Sequence, residues 1–326
     1  MNKPKQLTTA IWISAAAAAA VCTGAVAADA YPDKPVRMIV GFAPGGGTDT
    51  TARPIAQKLG ELLGVQVIVD NRPGAGGNIA TDIVAKSNPD GYTILMGTIA
   101  ALAINPSLYS KLPFDPDKDL APVIQAVDST NILSVHPSVP AGSVKELITL
   151  AKSKSLSYGS SGVGGTGHLA GELFNVMAGT QLVHVPYKGG GPAMIDLVAG
   201  QVQVVFATGA SAVPQIKNGK IKGLAVTTIK RSALMPELPT IAESGLKGYD
   251  ANNWYGVMVP AKTPRAVINR LNAETTKVLN MPDVKSFLFN QGLDAAPGTP
   301  EAFGAYIKAE RIKWAKVIKA AGAKAE

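Results

Sequence analysis

Residues 36–49 read VRMIVGFAPGGGTD and residues 155–168 read SLSYGSSGVGGTGH. Each is a short run of strand-forming residues that breaks into glycines and closes on residues able to start a helix. Working outward from the first, residues 36–42 read as a strand and residues 51–63 as a helix with Ile55, Leu59, Leu62 and Leu63 on one face. A strand over 65–69, a helix over 79–86 and a strand over 93–96 follow. From the second, a strand over 155–158 leads to a helix over 168–177, a strand over 182–185, a helix over 194–198 and a strand over 202–206. Helices alternating with short strands define an α/β fold with mainly parallel sheets. Pro54 removes a backbone donor, so regular helix is expected to start near Thr50 or to kink there.

The two halves correspond piece by piece. NRPGAGG (71–77) leads into Asp82, Ile83, Val84 and Ala85, and YKGGGPA (187–193) leads into Asp196, Leu197, Val198 and Ala199. Two similar domains are expected, joined by extended crossings over 123–135 and 252–259. The first domain is then discontinuous, 31–128 plus 254–326, with 129–253 as the second. Residues 303–319 read as an amphipathic helix packing back on the first domain through Phe303, Tyr306, Ile307, Trp314, Val317 and Ile318.

The chain of 326 residues is 46% hydrophobic and 17% charged, which suits a buried core and excludes disorder. Its net charge of +8 comes from scattered lysines and arginines, without the dense basic blocks of nucleic-acid binders. The lone cysteine, Cys22, lies in the N-terminal segment, so disulfides, cysteine-ligated zinc and cysteine nucleophiles are excluded from the rest. Lys3 and Lys5 precede an uncharged stretch ending in AVAADA, the pattern of an export signal over 1–30 cleaved after Ala27 or Ala30. A membrane anchor fits less well, because the stretch is mostly alanine. Val21 before Cys22 departs from a lipobox.

In a parallel sheet, ligands collect at the carboxyl ends of strands, where helix N-termini present free N–H groups. Residues 41–49 read either as an anion nest or as an ordinary strand-to-helix turn. Gly41, Gly46 and Thr48 nearly match a P-loop, but Gly47 stands where its lysine belongs. Gly162, Gly164 and Gly167 spell GxGxxG, yet no acid follows at the ribose position, so no dinucleotide cofactor is expected. Val163 breaks a GxSxG elbow, and His136, His168 and His184 lack zinc spacing, so no metal is expected either. His184 reads as strand core. His168 either faces the cleft or packs and caps at a helix start. Asp49 reads as a cap ahead of a general base.

The segments YPDKPVRMIVGFAPGGGTDTTAR, VDNRPGAGGN, PDGYTILMGT, GSSGVGGTGHLAGELF and HVPYKGGGPAMIDLVAGQVQVVFA together resemble the Bug family, the TctC-like substrate-binding receptors of tripartite tricarboxylate transporters. The likeness spans nearly the whole chain after residue 30; Phe42 and Pro54 depart from the commonest wording. The resemblance implies a two-domain type II periplasmic-binding-protein fold, each domain a mixed, mainly parallel sheet flanked by helices. It implies no enzyme and no cofactor, but a monomeric periplasmic receptor that closes over a small carboxylate and delivers it to the transporter's membrane permease. A ligand-sensing partner protein and an exported enzyme using Asp49 or His168 are the alternatives. In such receptors one carboxylate is held mainly by backbone N–H groups and ordered water. Carried onto this chain, that site is Phe42, Pro44, Gly45, Gly46, Gly47, Thr48 and Asp49 in one loop and Ser160, Ser161, Gly162, Thr166, Gly167 and His168 in the other. Thr98, Asn105, Lys188, Gly189 and Thr208 are placed to reach the ligand's distal end and set selectivity. Both primary loops lack lysine and arginine, so the pocket is expected to be neutral.

Overall fold

The computed structural model describes residues 31–45, 47–187 and 189–324. The export-signal reading over 1–30, Gly46 and Lys188 therefore lie outside the described residues. In chain order the first half runs β1 (Val36–Val40), α1 (Gly47–Leu63), β2 (Val67–Asn71), α2 (Asn78–Ala85) and β3 (Thr93–Thr98). A π-helical turn at Ala100–Ile104 then leads into α3 (Asn105–Leu108) and β4 (Leu120–Ser129). The second half comprises β5 (Asn131–Val135), α4 (Val144–Ser153), β6 (Ser157–Ser160), α5 (Thr166–Ala178), β7 (Val183–Pro186), α6 (Gly190–Val198), β8 (Val204–Thr208), α7 (Gly209–Lys217) and β9 (Lys222–Val226). The chain returns through β10 (Asn253–Pro260), α8 (Arg265–Asn280), α9 (Pro282–Asn290), β11 (Leu293–Ala295) and α10 (Pro300–Ala321).

Two mixed sheets result, ordered β11-β4-β10-β3-β1-β2 and β7-β6-β8-β5-β9. In the first, β1 is parallel to β2 and β3, and β10 is antiparallel to β3 and β4. In the second, β6 is parallel to β7 and β8, while β5 is antiparallel to β8 and β9. The sheets share one plan: β2-β1-β3-β10-β4 matches β7-β6-β8-β5-β9. The correspondence read from the sequence is therefore a correspondence of topology. In both, the chain leaves a central strand to one side and returns on the other, which opens a crevice at the carboxyl ends of β1 and β6.

Several boundaries move. β1 stops at Val40, two residues before Phe42, and β6 is shifted two residues beyond the expected 155–158, so Ser160 ends a strand. Helix α1 begins at Gly47 and runs through Pro54 uninterrupted, against the expected start or kink near Thr50. Its apolar stripe of Ile55, Ala56, Leu59 and Leu63 is buried on the first sheet, and that packing outweighs the one missing bond. The crossings are also sharper than expected. Thr130 alone separates β4 from β5, and the return crossing precedes β10, whose eight residues all belong to the first sheet. At this junction the Thr227 N–H bonds Asn131 O and the Ala251 N–H bonds Thr227 O.

Helix α10 does more than pack back on its own domain. Its buried face, with Phe303, Ile307, Trp314 and Ile318, joins one continuous apolar cluster with Met258 of the first sheet and with Leu169, Phe174 and Tyr158 beneath the second. The Trp254 ring meets Phe303 edge-on at 5.4 Å, and Gly256 leaves room for the Phe303 ring against β10. Among the described residues, no helix is long and apolar enough to cross a membrane.

Candidate functional site

The loop after β1 reaches α1 through Phe42, Pro44, Gly45 and Gly47. Phe42 is half-buried with its ring against Gly77, and its carbonyl accepts from Asn71 Nδ2 at 2.9 Å. Pro44, Gly45 and Gly47 are exposed, while Thr48 and Asp49 are buried in the first turn of the helix. Gly47 lies where a Cβ would stand 2.8 Å from the Tyr255 hydroxyl, so only glycine lets the helix start this close to β10. Asp49 accepts from the Gly45 N–H (2.9 Å), from Arg53 Nε and Nη2 (2.8 Å each) and from Asn71 Nδ2 (2.9 Å). Burial pushes its carboxyl up, but the hydrogen bonds from Arg53, Gly45 and Asn71 win and hold it below the ordinary Asp range.

Two expectations change here. The Gly45 N–H is spent on Asp49 and is not free for a ligand. Asp49 itself orders the loop and neutralises Arg53, with its acceptor capacity filled. Arg53, four residues along the same helix, completes the loop, and its spacing from Asp49 is a signal that helix periodicity could have supplied.

The second loop is built on two neutral histidines. Ser160 Oγ lies 2.6 Å from His184 Nε2 and accepts from the Gly162 N–H at 3.1 Å. His184 stacks on His168 with centroids 4.0 Å apart and on Tyr158 at 5.0 Å. His168 Nδ1 accepts the Gly164 N–H at 3.1 Å, and the Gly165 N–H bonds Gly162 O. Burial, then the His184 ring, pushes His168 down to about 3, and burial pushes His184 down to about 4. Both rings are held neutral near neutral pH; His168 Nδ1 accepts within the loop, as the packing and capping alternative expects, and His184 supports the loop through Ser160 as well as belonging to a strand.

Gly162, at φ +128, turns its N–H inward to Ser160 and not toward a ligand. Donors left in this loop include the first-turn N–H groups of α5, at Thr166, Gly167 and His168, which no carbonyl within a helix can reach. Gly167 brings that turn against Phe206 O of β8, where a Cβ would stand at 2.7 Å. Ser161 is exposed.

Two strings of close contacts run between the loops. Along one, Gly77 meets Phe42, Gly76 meets Asn105, and Asn105 Oδ1 approaches Gly164 of the second loop. Along the other, Tyr255 bonds Thr48 and accepts from Asn253 Nδ2 at 3.1 Å. Asn253 pairs with Ser129 across the sheet, and Asn131, just past Thr130, reaches Thr166 Oγ1 at 3.4 Å. Tyr255, Asn253 and Asn131 carried no distinguishing mark in the sequence. Of the expected selectivity residues, Thr98 is buried and accepts from the Ala101 N–H at 3.4 Å, and Gly189 precedes α6. Thr208 Oγ1 pairs with Ser211 Oγ at 3.1 Å at the start of α7. Neither of two surface hollows lies at the loops: one of about 440 Å³ is bounded by Leu102, Met258, Arg265 and Arg311, another by Lys285, Phe289 and Asp294. The loops themselves are packed close, with Gly164 against Asn105 and Leu108.

Two α/β lobes of common topology, each with a glycine loop and a helix start at the end of its equivalent strand, define a solute-binding protein of the periplasmic-binding fold. Residues 51–323 match the tripartite tricarboxylate transporter family receptor, TctC, and the chain belongs to that family. It is 39% identical over 293 residues to the UPF0065 protein in the tcbD-tcbE intergenic region of Pseudomonas sp. strain P51, covering 89% of this chain and 87% of the relative. It is 36% identical to protein BugT of Bordetella pertussis over 302 residues, covering 92% and 93%. Among solved structures, R. palustris Rpa4515 with adipate aligns with a TM-score of 0.83 at 39% identity, covering 90% of this chain and 98% of that one. MatC from Rhodopseudomonas palustris with bound malate aligns at 0.79 and 29% identity, covering 88% and 100%.

Proposed function

We propose that this protein is a periplasmic receptor that captures a small carboxylate between the N-termini of α1 and α5 and delivers it to the permease of a tripartite tricarboxylate transporter. The lobes that close on it are 31–128 with 254–326, and 129–253, after removal of the export signal. The observation that carries the reading is the pairing of two helix N-termini at equivalent places in two lobes, each set in a loop whose own charges are cancelled. Arg53 is neutralised by Asp49 and both histidines are uncharged, so the acid is met by main-chain N–H groups and helix dipoles. Micromolar binding needs about 8 kcal/mol, and single bonds contribute about 1 kcal/mol net, so neither loop suffices alone. Acid–base catalysis gains no support, because Asp49 is saturated with donors and His168 is an acceptor. Adipate and malate, the acids bound to the two solved relatives, are fitting first probes.

Calorimetry with a carboxylate panel led by these two acids tests the reading. A Gly162→Leu variant should lose the binding seen in the wild type, because φ +128 excludes a side chain and a Cβ there stands 3.2 Å from Tyr187 O. Wild-type affinity in that variant refutes capture from both lobes, and a wild type that binds no carboxylate refutes the function.

A further inference from the structure

We propose that Asn105 makes this site select carboxylates that carry a hydrogen-bond donor, a hydroxyl or an ammonium group, beside the acid; the inference rests on the carboxylate reading above. Asn105 is fully buried at the start of α3, between the NRPGAGG loop of one lobe and the GSSGVGG loop of the other. Its Nδ2 donates to Asn78 Oδ1 at 2.7 Å and to Gly76 O at 3.3 Å. Turning the amide over would set its oxygen against the Gly76 carbonyl, so the observed orientation is fixed.

The other end of the amide is therefore an acceptor with no choice in the matter. Asn105 Oδ1 has no partner among the described residues. It lies 3.4 Å from where a Cβ on Gly164 would stand, on the loop that leads directly into the first turn of α5. Asn131, Asn252 and Asn253 also hold an unpartnered amide oxygen, but Asn252 donates to Asp128 and Tyr306 rather than to the loops, and the other two amides each face a hydroxyl, on Thr166 and Tyr255, that serves either orientation. Among the described residues at the loops, Asn105 alone imposes a polarity.

The site thus offers helix N–H donors for an acid and, against the Gly164 turn that leads into α5, a buried acceptor. An unsubstituted dianion has only acceptors and leaves that oxygen unfilled. A hydroxy or amino acid fills it with the donor adjacent to its carboxylate. Leaving a buried acceptor unpaired costs roughly 5- to 100-fold in an equilibrium constant.

The test is calorimetry of the full chain with matched acids: succinate against malate and aspartate, and adipate against 2-hydroxyadipate and 2-aminoadipate. At least one substituted acid should bind roughly 10-fold or more tightly than its parent. In Asn105→Ala that ratio should fall toward one. Should that variant fail to fold, the wild-type ratios decide. Equal binding of parent and substituted acids, the result if water satisfies Asn105 Oδ1, overturns the proposal and leaves carboxylate capture standing. A preference that survives Asn105→Ala also overturns it. A panel in which no acid binds refutes both readings.

Discussion

Asp128 sits two residues before the chain crosses from one lobe to the other, and replacing it with asparagine should make the protein more stable at neutral pH. Its carboxyl is half-buried on the face of the first sheet covered by α10. Directly opposite on β11 is Asp294, and Asp250 adds a second negative charge from the return crossing. Gln125 Nε2 and Asn252 Nδ2 donate to Oδ1 at 2.8 and 2.7 Å, and Asn252 also reaches the Tyr306 hydroxyl of α10. Lys313, the cation of this region, is engaged by Asp250 and Glu310. Burial first, then Asp294 and Asp250, outweigh the two donors and raise the carboxyl from 3.8 to about 6.

A raised carboxyl binds its proton more tightly in the folded state. Its contribution to stability is therefore most favourable below pH 4 and falls as pH climbs to about 6, after which the loss is constant. About two pH units correspond to a penalty on the order of 3 kcal/mol. Asp128→Asn keeps Oδ1 for both donors and removes the opposed charge. Allowing for weaker bonds to a neutral acceptor, it should gain about 1–3 kcal/mol at pH 7.5, a rise of roughly 2–6 °C in Tm. The gain should vanish near pH 4. Thermal melts of both proteins at pH 4 and pH 7.5 read this out. A variant less stable at pH 7.5, or shifted equally at both values, shows that the carboxylate is held by its donors and not opposed by its neighbours.

Two further changes probe the loops. Asp49→Ala removes the acceptor of Gly45, Arg53 and Asn71, and urea unfolding should show a loss of about 1–3 kcal/mol; an unchanged midpoint means that the Asp49 cluster does not hold α1 to its loop. The lowered histidines act opposite to Asp128: their contribution is complete above pH 6.5 and is lost as pH falls toward 4 and 3. His184→Gln, which still offers Ser160 a partner, should therefore shift acid unfolding followed by circular dichroism to lower pH, and a wild-type midpoint rules out burial of a neutral ring at this position.

The order of strands and helices, the glycine loops at the ends of β1 and β6, and the likeness between the halves were all present in the sequence. Each depends on residues within a turn or two of one another: strand formers ending in glycine and the apolar stripe of α1. The charge balance of the loops was legible for the same reason, since Asp49 and Arg53 are one helical turn apart. Tertiary contact orients the side chains that take the N–H groups of Gly45, Gly162 and Gly164, although each acceptor lies only two to four residues away. It alone brought His184 beneath Ser160, Tyr255 against Gly47, and Asn252 to Asp128 across 124 positions of chain. It also carried α10 across to the second lobe, where an amphipathic pattern specifies an apolar face but not what that face will cover. Sequence periodicity records which side of an element is buried; the partner on that side is fixed only when distant segments compete for the same core.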